Sequence, residues 1–195
     1  MVYVDFGALK AENPDCVGWL WIEGLDVSYP VMQSGDDGKY LAVAFDGSRS
    51  GGGSLFLDSR NSPGFGDPHS MIYGHNMLDN SMFGRLDEYA SQERFDRDPF
   101  VYLFTPECSY VYRIFSHYVT TMEMDSYRAD FSDGDGFAAY VGALRRHSWL
   151  KTGAAPEAAG AARVLTLSTC VGDDYRRRVV HAALIGSAPP PAPPL

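Results

Sequence analysis

Cysteine is scarce in this chain of 195 residues, which contains only Cys16, Cys108 and Cys170. An odd number of widely spaced cysteines argues against a disulfide framework, and the absence of a C-x-x-C pair argues against a zinc site. At least one thiol is therefore free. We predict neither a metal ion nor another cofactor.

Positively charged residues are also few, with 16 lysines and arginines against 25 aspartates and glutamates and a net charge of -9. No basic stripe is present that could follow a nucleic-acid backbone. The one basic cluster, Arg176 to Arg178, is too short for that purpose. Nucleic acid is therefore excluded as a partner, and the acidic balance indicates a solvated surface.

Long hydrophobic runs are missing as well. No window approaches the ~18 consecutive apolar residues that a membrane span needs, and no signal-peptide pattern opens the chain. Two interpretations stay open from this observation. Either the protein is cytosolic, or an N-terminal targeting segment is not part of this sequence.

Glycine and proline are abundant, with 20 and 12 residues, and this supply of turns favours a mostly β architecture. The length suits one domain, and an apolar fraction of 45% is enough to build a core. We predict a single domain over residues 1–186 and an extended proline-rich tail over residues 187–195.

The periodicity of apolar side chains predicts the order of elements along the chain. Strands are expected over residues 16–22, 27–33, 54–58, 70–73, 100–105, 110–121, 164–170 and 179–185. Helices are expected over residues 4–12, 82–89 and 131–150, with a single helical turn within residues 39–45. The helix over residues 131–150 would be an insertion before the strand that carries Cys170.

The strand predicted over residues 164–170 ends in a cysteine. Its alternation places Thr166, Ser168 and Cys170 on one face, and the return strand begins with three arginines. A fixed positive charge beside a thiol favours the thiolate form, which is the reactive one. The residues alone also allow the opposite interpretation, because most unpaired cysteines are buried and inert.

His75 lies where the strand over residues 70–73 passes into a loop, a place where side chains are exposed and held by a scaffold. A lone histidine at such a junction is more often an ordinary surface residue. His117 lies within a long alternating strand and is predicted to be structural. Cys16 is predicted to be a packing residue, and Cys108 lies in a turn with no chemical role expected.

Several blocks of sequence, taken together, resemble one known family. They are N-P-D-C-V-G-W-L-W-I, V-S-Y-P-V-M-Q, G-S-L-F-L-D-S-R-N, M-I-Y-G-H-N-M, S-M-F-G-R-L, L-T-L-S-T-C and R-R-V-V-H-A. From about Phe6 to Ile185 the chain resembles the sortases, the cysteine transpeptidases that attach proteins to Gram-positive cell walls. The long insertion before the cysteine strand resembles class B. The resemblance implies an eight-stranded β-barrel with an N-terminal helix and this helical insertion.

The resemblance assigns the family's nucleophile to Cys170 and its catalytic histidine to His75. The family's arginine follows the cysteine strand, and the R-x-V-V pattern places it at Arg177. Strand alternation agrees, because Arg178 shares a face with apolar residues. Arg178 remains the alternative. Ser168 and Leu41 are the residues expected to line the substrate groove.

The implied reaction is cleavage of a C-terminal sorting signal after threonine, through a thioester, and transfer to an amine. The partners would be a protein carrying an Asn-Pro-x-Thr-Asn-like or Pro-x-Thr-Gly-like signal, and a peptidoglycan precursor or a pilin. Such enzymes work on the extracellular face of the cell membrane, and the sequence lacks their usual N-terminal anchor, which we interpret as truncation. Two alternatives remain: a thiol hydrolase or protease with the same site, or a non-catalytic wall-associated binding module.

Overall fold

The computed structural model describes residues 3–131, 136–151, 160–172 and 175–192. Its strands are β1 (Cys16–Ile22), β2 (Val27–Met32), β3 (Leu55–Leu57), β4 (His69–Tyr73), β5 (Phe100–Phe104), β6 (Ser109–Thr121), β7 (Val164–Cys170) and β8 (Arg176–Ala188). They close into a barrel in the order β1-β2-β3-β4-β7-β8-β6-β5. The expected mostly β fold with an eight-stranded barrel is confirmed.

Two strand pairings bring the ends of β4, β7 and β8 together. β4 runs parallel to β7, with Tyr73 opposite Ser168, and β7 runs antiparallel to β8, with Cys170 opposite Arg177. Because β4 and β7 point the same way, the loop after β4 lies beside the last residue of β7. The start of β8 lies at the same end of the barrel.

The barrel interior is filled by apolar side chains that point inward at every second strand position. Those with no exposed surface include Leu20, Val31, Leu55, Ile72, Leu165 and Leu167. Burying one side chain of this size contributes about 2 kcal/mol to the free energy of unfolding. The barrel therefore supplies a rigid support for the loops at its ends.

A second apolar cluster lies outside the barrel, beneath the helix α3 (Phe137–His147). Tyr140, Val141 and Leu144 of α3 pack there against side chains of β4, β6, β7 and β8. As a result, every residue of β7 before Cys170 is buried, including the polar Thr166 and Ser168. The polar face of this strand is therefore covered by the insertion and not by solvent.

Two of the predicted helices, those over residues 4–12 and 131–150, are present but shorter than predicted. The helix α1 (Phe6–Glu12) begins after Asp5, whose side chain accepts a hydrogen bond from the Ala8 amide at 2.9 Å. α3 lies within the predicted range 131–150 and follows Gly136, which has a φ of 99°. Residues 132–135 of that prediction lie outside the described residues. The helix α2 (Gln92–Arg97) was not predicted.

Two further differences concern one predicted helix and the extent of β8. The helix predicted over residues 82–89 is wrong, because Met82 has a left-handed φ of 51° and only a 3-10 turn, Leu86–Ala90, follows. β8 is longer than predicted, since its arginines already pair with β6 and its end includes the first residues assigned to the tail. Residues 193–195 of that tail lie outside the described part. None of the helices described is long and apolar enough to cross a bilayer.

Candidate active site

A groove of about 290 Å³ lies at the end of the barrel where β4, β7 and β8 meet. It is lined by all five side chains that the sequence predicts for the site: Leu41, His75, Ser168, Cys170 and Arg177. These residues come from four separate parts of the chain. The fold therefore brings together residues that are up to 136 positions apart (177 − 41).

Cys170 is the cysteine in this groove. It is partly exposed at the end of β7, whereas Cys16 has no exposed surface and burial raises the pKa of its thiol. Cys108 lies in the β5–β6 turn, where its sulfur contacts the Ala188 carbonyl at 3.3 Å. All three thiols are free. Only Cys170 combines access with a position beside other polar groups of the groove.

The loop after β4 holds His75 beside the end of β7. The Gly74 amide donates to the Ser168 carbonyl at 3.1 Å, and the Asn76 side-chain amide donates to the Cys170 carbonyl at 3.0 Å. Gly74 is required here, because a Cβ atom would lie 2.3 Å from Cδ2 of Leu55. His75 lies between Gly74 and Asn76 in the sequence, so these two bonds hold its backbone beside β7.

The orientation of the His75 ring follows from one hydrogen bond. Its Nε2 lies 2.8 Å from the Leu41 carbonyl oxygen, which can only accept. Nε2 therefore carries a hydrogen, and Nδ1 is the acceptor of the neutral ring. Leu41 thus contributes its backbone to the histidine and its half-exposed side chain to the groove.

The three consecutive arginines point to three different places. Arg177 lines the groove and faces Cys170 across the β7–β8 pair. Arg178 lies on the other face, where its guanidinium contacts Nε2 of His117 at 3.2 Å. Arg176 is exposed and lines a separate depression with Trp149. Strand alternation explains why neighbouring arginines cannot share one site.

Another wall of the groove contains an ionic cluster that was not predicted as part of the site. The Asp58 carboxylate accepts bonds from Nε and Nη2 of Arg60, at 2.8 and 2.7 Å, and from the Tyr73 hydroxyl at 2.8 Å. Burial pushes the pKa of Asp58 up, but the bonds from Arg60 and Tyr73 outweigh burial and lower it. The G-S-L-F-L-D-S-R-N block contains Asp58 and Arg60, and was the available signal.

Ser168 is held from behind by a tyrosine. The Tyr127 hydroxyl lies 2.8 Å from Oγ of Ser168, and its ring stacks on Tyr73 with centroids 6.3 Å apart. Tyr127 belongs to the segment between β6 and α3. We count this segment with α3 as the insertion from here on, so the insertion supports the groove wall. No sequence pattern singled out Tyr127. Among the described residues, no group of three or more His, Cys, Asp or Glu side chains could hold a metal ion.

Comparison with known proteins agrees with this architecture. The sortase domain model matches residues 20–185. Sortase B of Listeria monocytogenes is 32% identical over 180 residues, which are 91% of this chain and 72% of that protein. The Staphylococcus aureus sortase B-substrate complex is 29% identical with a TM-score of 0.84, covering 92% of this chain and 84% of that one. Clostridium perfringens sortase B is 29% identical with a TM-score of 0.86, covering 93% and 100%.

The family match extends over most of the chain and includes α3, the groove and all of the barrel except the first residues of β1 and the last residues of β8. The TM-scores to sortase B structures, 0.84 and 0.86 over more than nine-tenths of this chain, show that the fold is shared. The chain therefore belongs to the sortase family and is a cysteine transpeptidase of the sortase B type.

Proposed function

We propose that this enzyme cleaves the C-terminal sorting signal of a secreted protein after threonine and transfers the protein to an amine. The thiolate of Cys170 attacks the threonine carbonyl carbon, forming a C–S bond and a tetrahedral intermediate. Collapse of this intermediate breaks the C–N bond and leaves a thioester. The incoming amine then attacks the thioester, which restores the thiolate and forms a new amide.

His75 is the proposed acid and base. His75 starts the cycle protonated, as the partner of the Cys170 thiolate. Since its Nε2 is committed to the Leu41 carbonyl, Nδ1 is the nitrogen that would give its proton to the leaving amine and regain one from the incoming amine. Arg177, which stays charged, would hold the threonine carbonyl and the oxyanion that forms from it. Its planar fork of donors suits both roles.

Ser168 and Leu41, which both line the groove, are the proposed substrate contacts, one polar and one apolar. The signal is proposed to be Asn-Pro-x-Thr-Asn-like or Pro-x-Thr-Gly-like. The amine is proposed to come from a peptidoglycan precursor or a pilin lysine. This chemistry belongs on the extracellular face of the cell membrane, where the secreted protein and the cell-wall precursors meet.

The observation that carries the proposal is the cross-strand pair of Cys170 and Arg177 in one groove with His75. This pairing explains why a partly exposed cysteine lies next to a charged fork of hydrogen-bond donors. A purely structural cysteine does not require an arginine beside it, and a non-catalytic binding module does not require this combination of cysteine, histidine and arginine.

Peptide cleavage with and without an amine acceptor, read by mass spectrometry, tests the proposal. Peptides carrying each signal type should give the acyl-amine product when acceptor is added, and a thioester mass on the enzyme when it is not. Cys170→Ala should abolish both, whereas Cys16→Ala and Cys108→Ser should retain them. Hydrolysed product alone, unchanged by added amine, would instead indicate a thiol hydrolase.

A further inference from the structure

A series of buried hydrogen bonds links the barrel to the insertion at a distance from the catalytic groups. Its side chains come from β4, β6, β7, β8 and the segment after β6, and none is more than 4% exposed. At one end, Ser126 Oγ lies 2.8 Å from Tyr118 OH, and Tyr118 OH lies 3.1 Å from His181 Nε2. In the middle, Thr166 Oγ1 lies 2.7 Å from His181 Nδ1 and 2.6 Å from His69 Nε2. At the other end, His69 Nδ1 lies 2.7 Å from the Arg128 carbonyl oxygen. We call these six residues the buried histidine network.

With both imidazoles neutral, the direction of every hydrogen in this network follows from its last member. The Arg128 carbonyl can only accept, so Nδ1 of His69 donates and Nε2 of the neutral ring accepts from the Thr166 hydroxyl. The oxygen of Thr166 then accepts from Nδ1 of His181, whose Nε2 accepts from the Tyr118 hydroxyl. In this arrangement each imidazole donates at Nδ1 and accepts at Nε2, whereas with both rings protonated the Thr166 hydroxyl would face two donors and no ring acceptor.

Both ends of the network lie on one short segment of the insertion. Ser126 is at one end and the Arg128 carbonyl at the other, with Tyr127 between them. Tyr127 donates to or accepts from Ser168 and stacks on Tyr73, and those two residues line the groove. The network therefore holds, on both sides, the residue that supports the groove wall.

We propose that His69, Thr166 and His181 are positioning residues for substrate binding, which act by holding the segment 126–128 against the groove wall. Acid should loosen that wall, because protonation puts charge among buried groups, and with both rings protonated the Thr166 hydroxyl has no imidazole acceptor for its own hydrogen. The inference rests on the proposed function, in that it takes the groove to be the site of the sorting signal.

The groups around the two imidazoles favour their neutral forms. Burial lowers the pKa of His69 to about 4, with nearby Arg60 acting in the same direction, and with the Arg128 carbonyl and Asp58 opposing. Burial and then the rings of His69, His117 and His147 lower the pKa of His181. The other ionisable groups in contact are Tyr140 of α3, 3.3 Å from His69 Nδ1, and Tyr118.

Substitution of Thr166 tests the inference at pH 7. Thr166→Val keeps the shape but leaves both imidazoles facing a methyl group, and should raise KM for the sorting peptide about tenfold with kcat within about twofold. Thr166→Ser keeps the hydroxyl and should restore the parent KM. Thr105→Val is the matched control: it removes a buried, hydrogen-bonded hydroxyl in the distant β5–β6 turn and should lower Tm without raising KM.

Hydrogen exchange gives a second measurement that does not use activity. The Arg128 amide, which donates to the Asp125 carbonyl, should exchange about fivefold faster in Thr166→Val at pH 7. In the parent protein it should lose protection between pH 7 and pH 4.5, relative to amides of β1 and after correction for intrinsic rates. The parent protein alone supplies this result if Thr166→Val does not fold.

The outcomes separate the two proposals. An unchanged KM in Thr166→Val, an equal rise in Thr105→Val, or an Arg128 amide insensitive to pH would overturn the inference and leave the transpeptidase proposal intact. If no protein, the parent included, cleaves any sorting peptide, the proposed function fails, and the exchange measurement alone decides whether the network holds the segment.

Discussion

The register of β7 and β8 places Arg177 directly opposite Cys170. The same register keeps the neighbouring Arg178 out of the groove. Adjacent residues of a strand point to opposite faces, so Arg178 contacts His117 while Arg177 lines the groove. The contact of Arg178 with Nε2 of His117 fits a neutral imidazole. Burial and the charge of Arg178 lower the pKa of that histidine to about 4.

A comparison of arginine variants tests the assignment at the residue scale. Arg177→Lys keeps the charge but loses the planar fork, and should reduce kcat/KM about a hundredfold, the effect of losing one oxyanion donor. Arg178→Lys should stay within about twofold. The measurement is kcat/KM on one sorting peptide, with overlapping melting curves required. A large loss at Arg178 with Arg177 silent would refute the assignment.

The loop after β4 is the element that connects the histidine to the cysteine strand. It makes one backbone bond from Gly74 and one side-chain bond from Asn76 to β7. The first is made at a residue that has no room for a side chain beside Leu55, and the second depends on a single side chain at the protein surface. The position of His75 is therefore a property of the element and not of the histidine alone.

Asn76→Ala is the corresponding prediction at the scale of the element. It removes the bond to the Cys170 carbonyl, and kcat/KM should fall about tenfold because the loop that carries His75 is less well held against β7. Tm should fall only slightly, since an exposed hydrogen bond contributes about 1 kcal/mol. Leu78→Ala, a fully exposed position in the same loop, is the control and should match the parent. Equal losses in both variants would contradict the role of Asn76.

At the scale of the whole molecule, three buried histidines couple stability to pH. The pKa values of His69 and His117 are lowered to about 4, and that of His181 is also lowered. The unfolded chain takes up these protons near pH 6.5, whereas the folded chain does not. Stability is therefore full above about pH 6.5 and is lost as the pH falls toward 4.

Urea unfolding as a function of pH tests this coupling. One histidine with a pKa lowered from 6.5 to about 4 corresponds to about 3 kcal/mol at pH 4, at 1.36 kcal/mol for each pKa unit. The decline should already be measurable between pH 6.5 and 4.5, above the range in which Asp58 and similar carboxylates contribute. His117→Gln should make the decline shallower by the share of one histidine, and the exposed His147→Gln should leave it unchanged. A pH-independent free energy of unfolding in this window would contradict the prediction.

Much of the fold could be predicted from the sequence because alternation and turn residues act locally. The strand that ends at Cys170 and the helix before it were found in this way, and strand alternation placed Arg177 and Arg178 on opposite faces. The prediction of a helix over residues 82–89 was wrong because Met82 adopts a left-handed backbone conformation, and a methionine side chain gives no indication of that. α2 was missed because, of its six residues, only Phe95 is apolar and buried.

The sequence by itself determined which residues are chemically capable: one cysteine at a strand end, one histidine at a loop junction and an arginine on the return strand. Only the tertiary structure decided how they are supported. Tyr127 reaches Ser168 across 41 positions, and His69 reaches Thr166 across 97. Contacts at such separations depend on strand order and on the seating of α3, and no local pattern encodes either of them. For the same reason, alternation put Thr166, Ser168 and Cys170 on one face, but only the position of α3 decided that Thr166 and Ser168 are buried there.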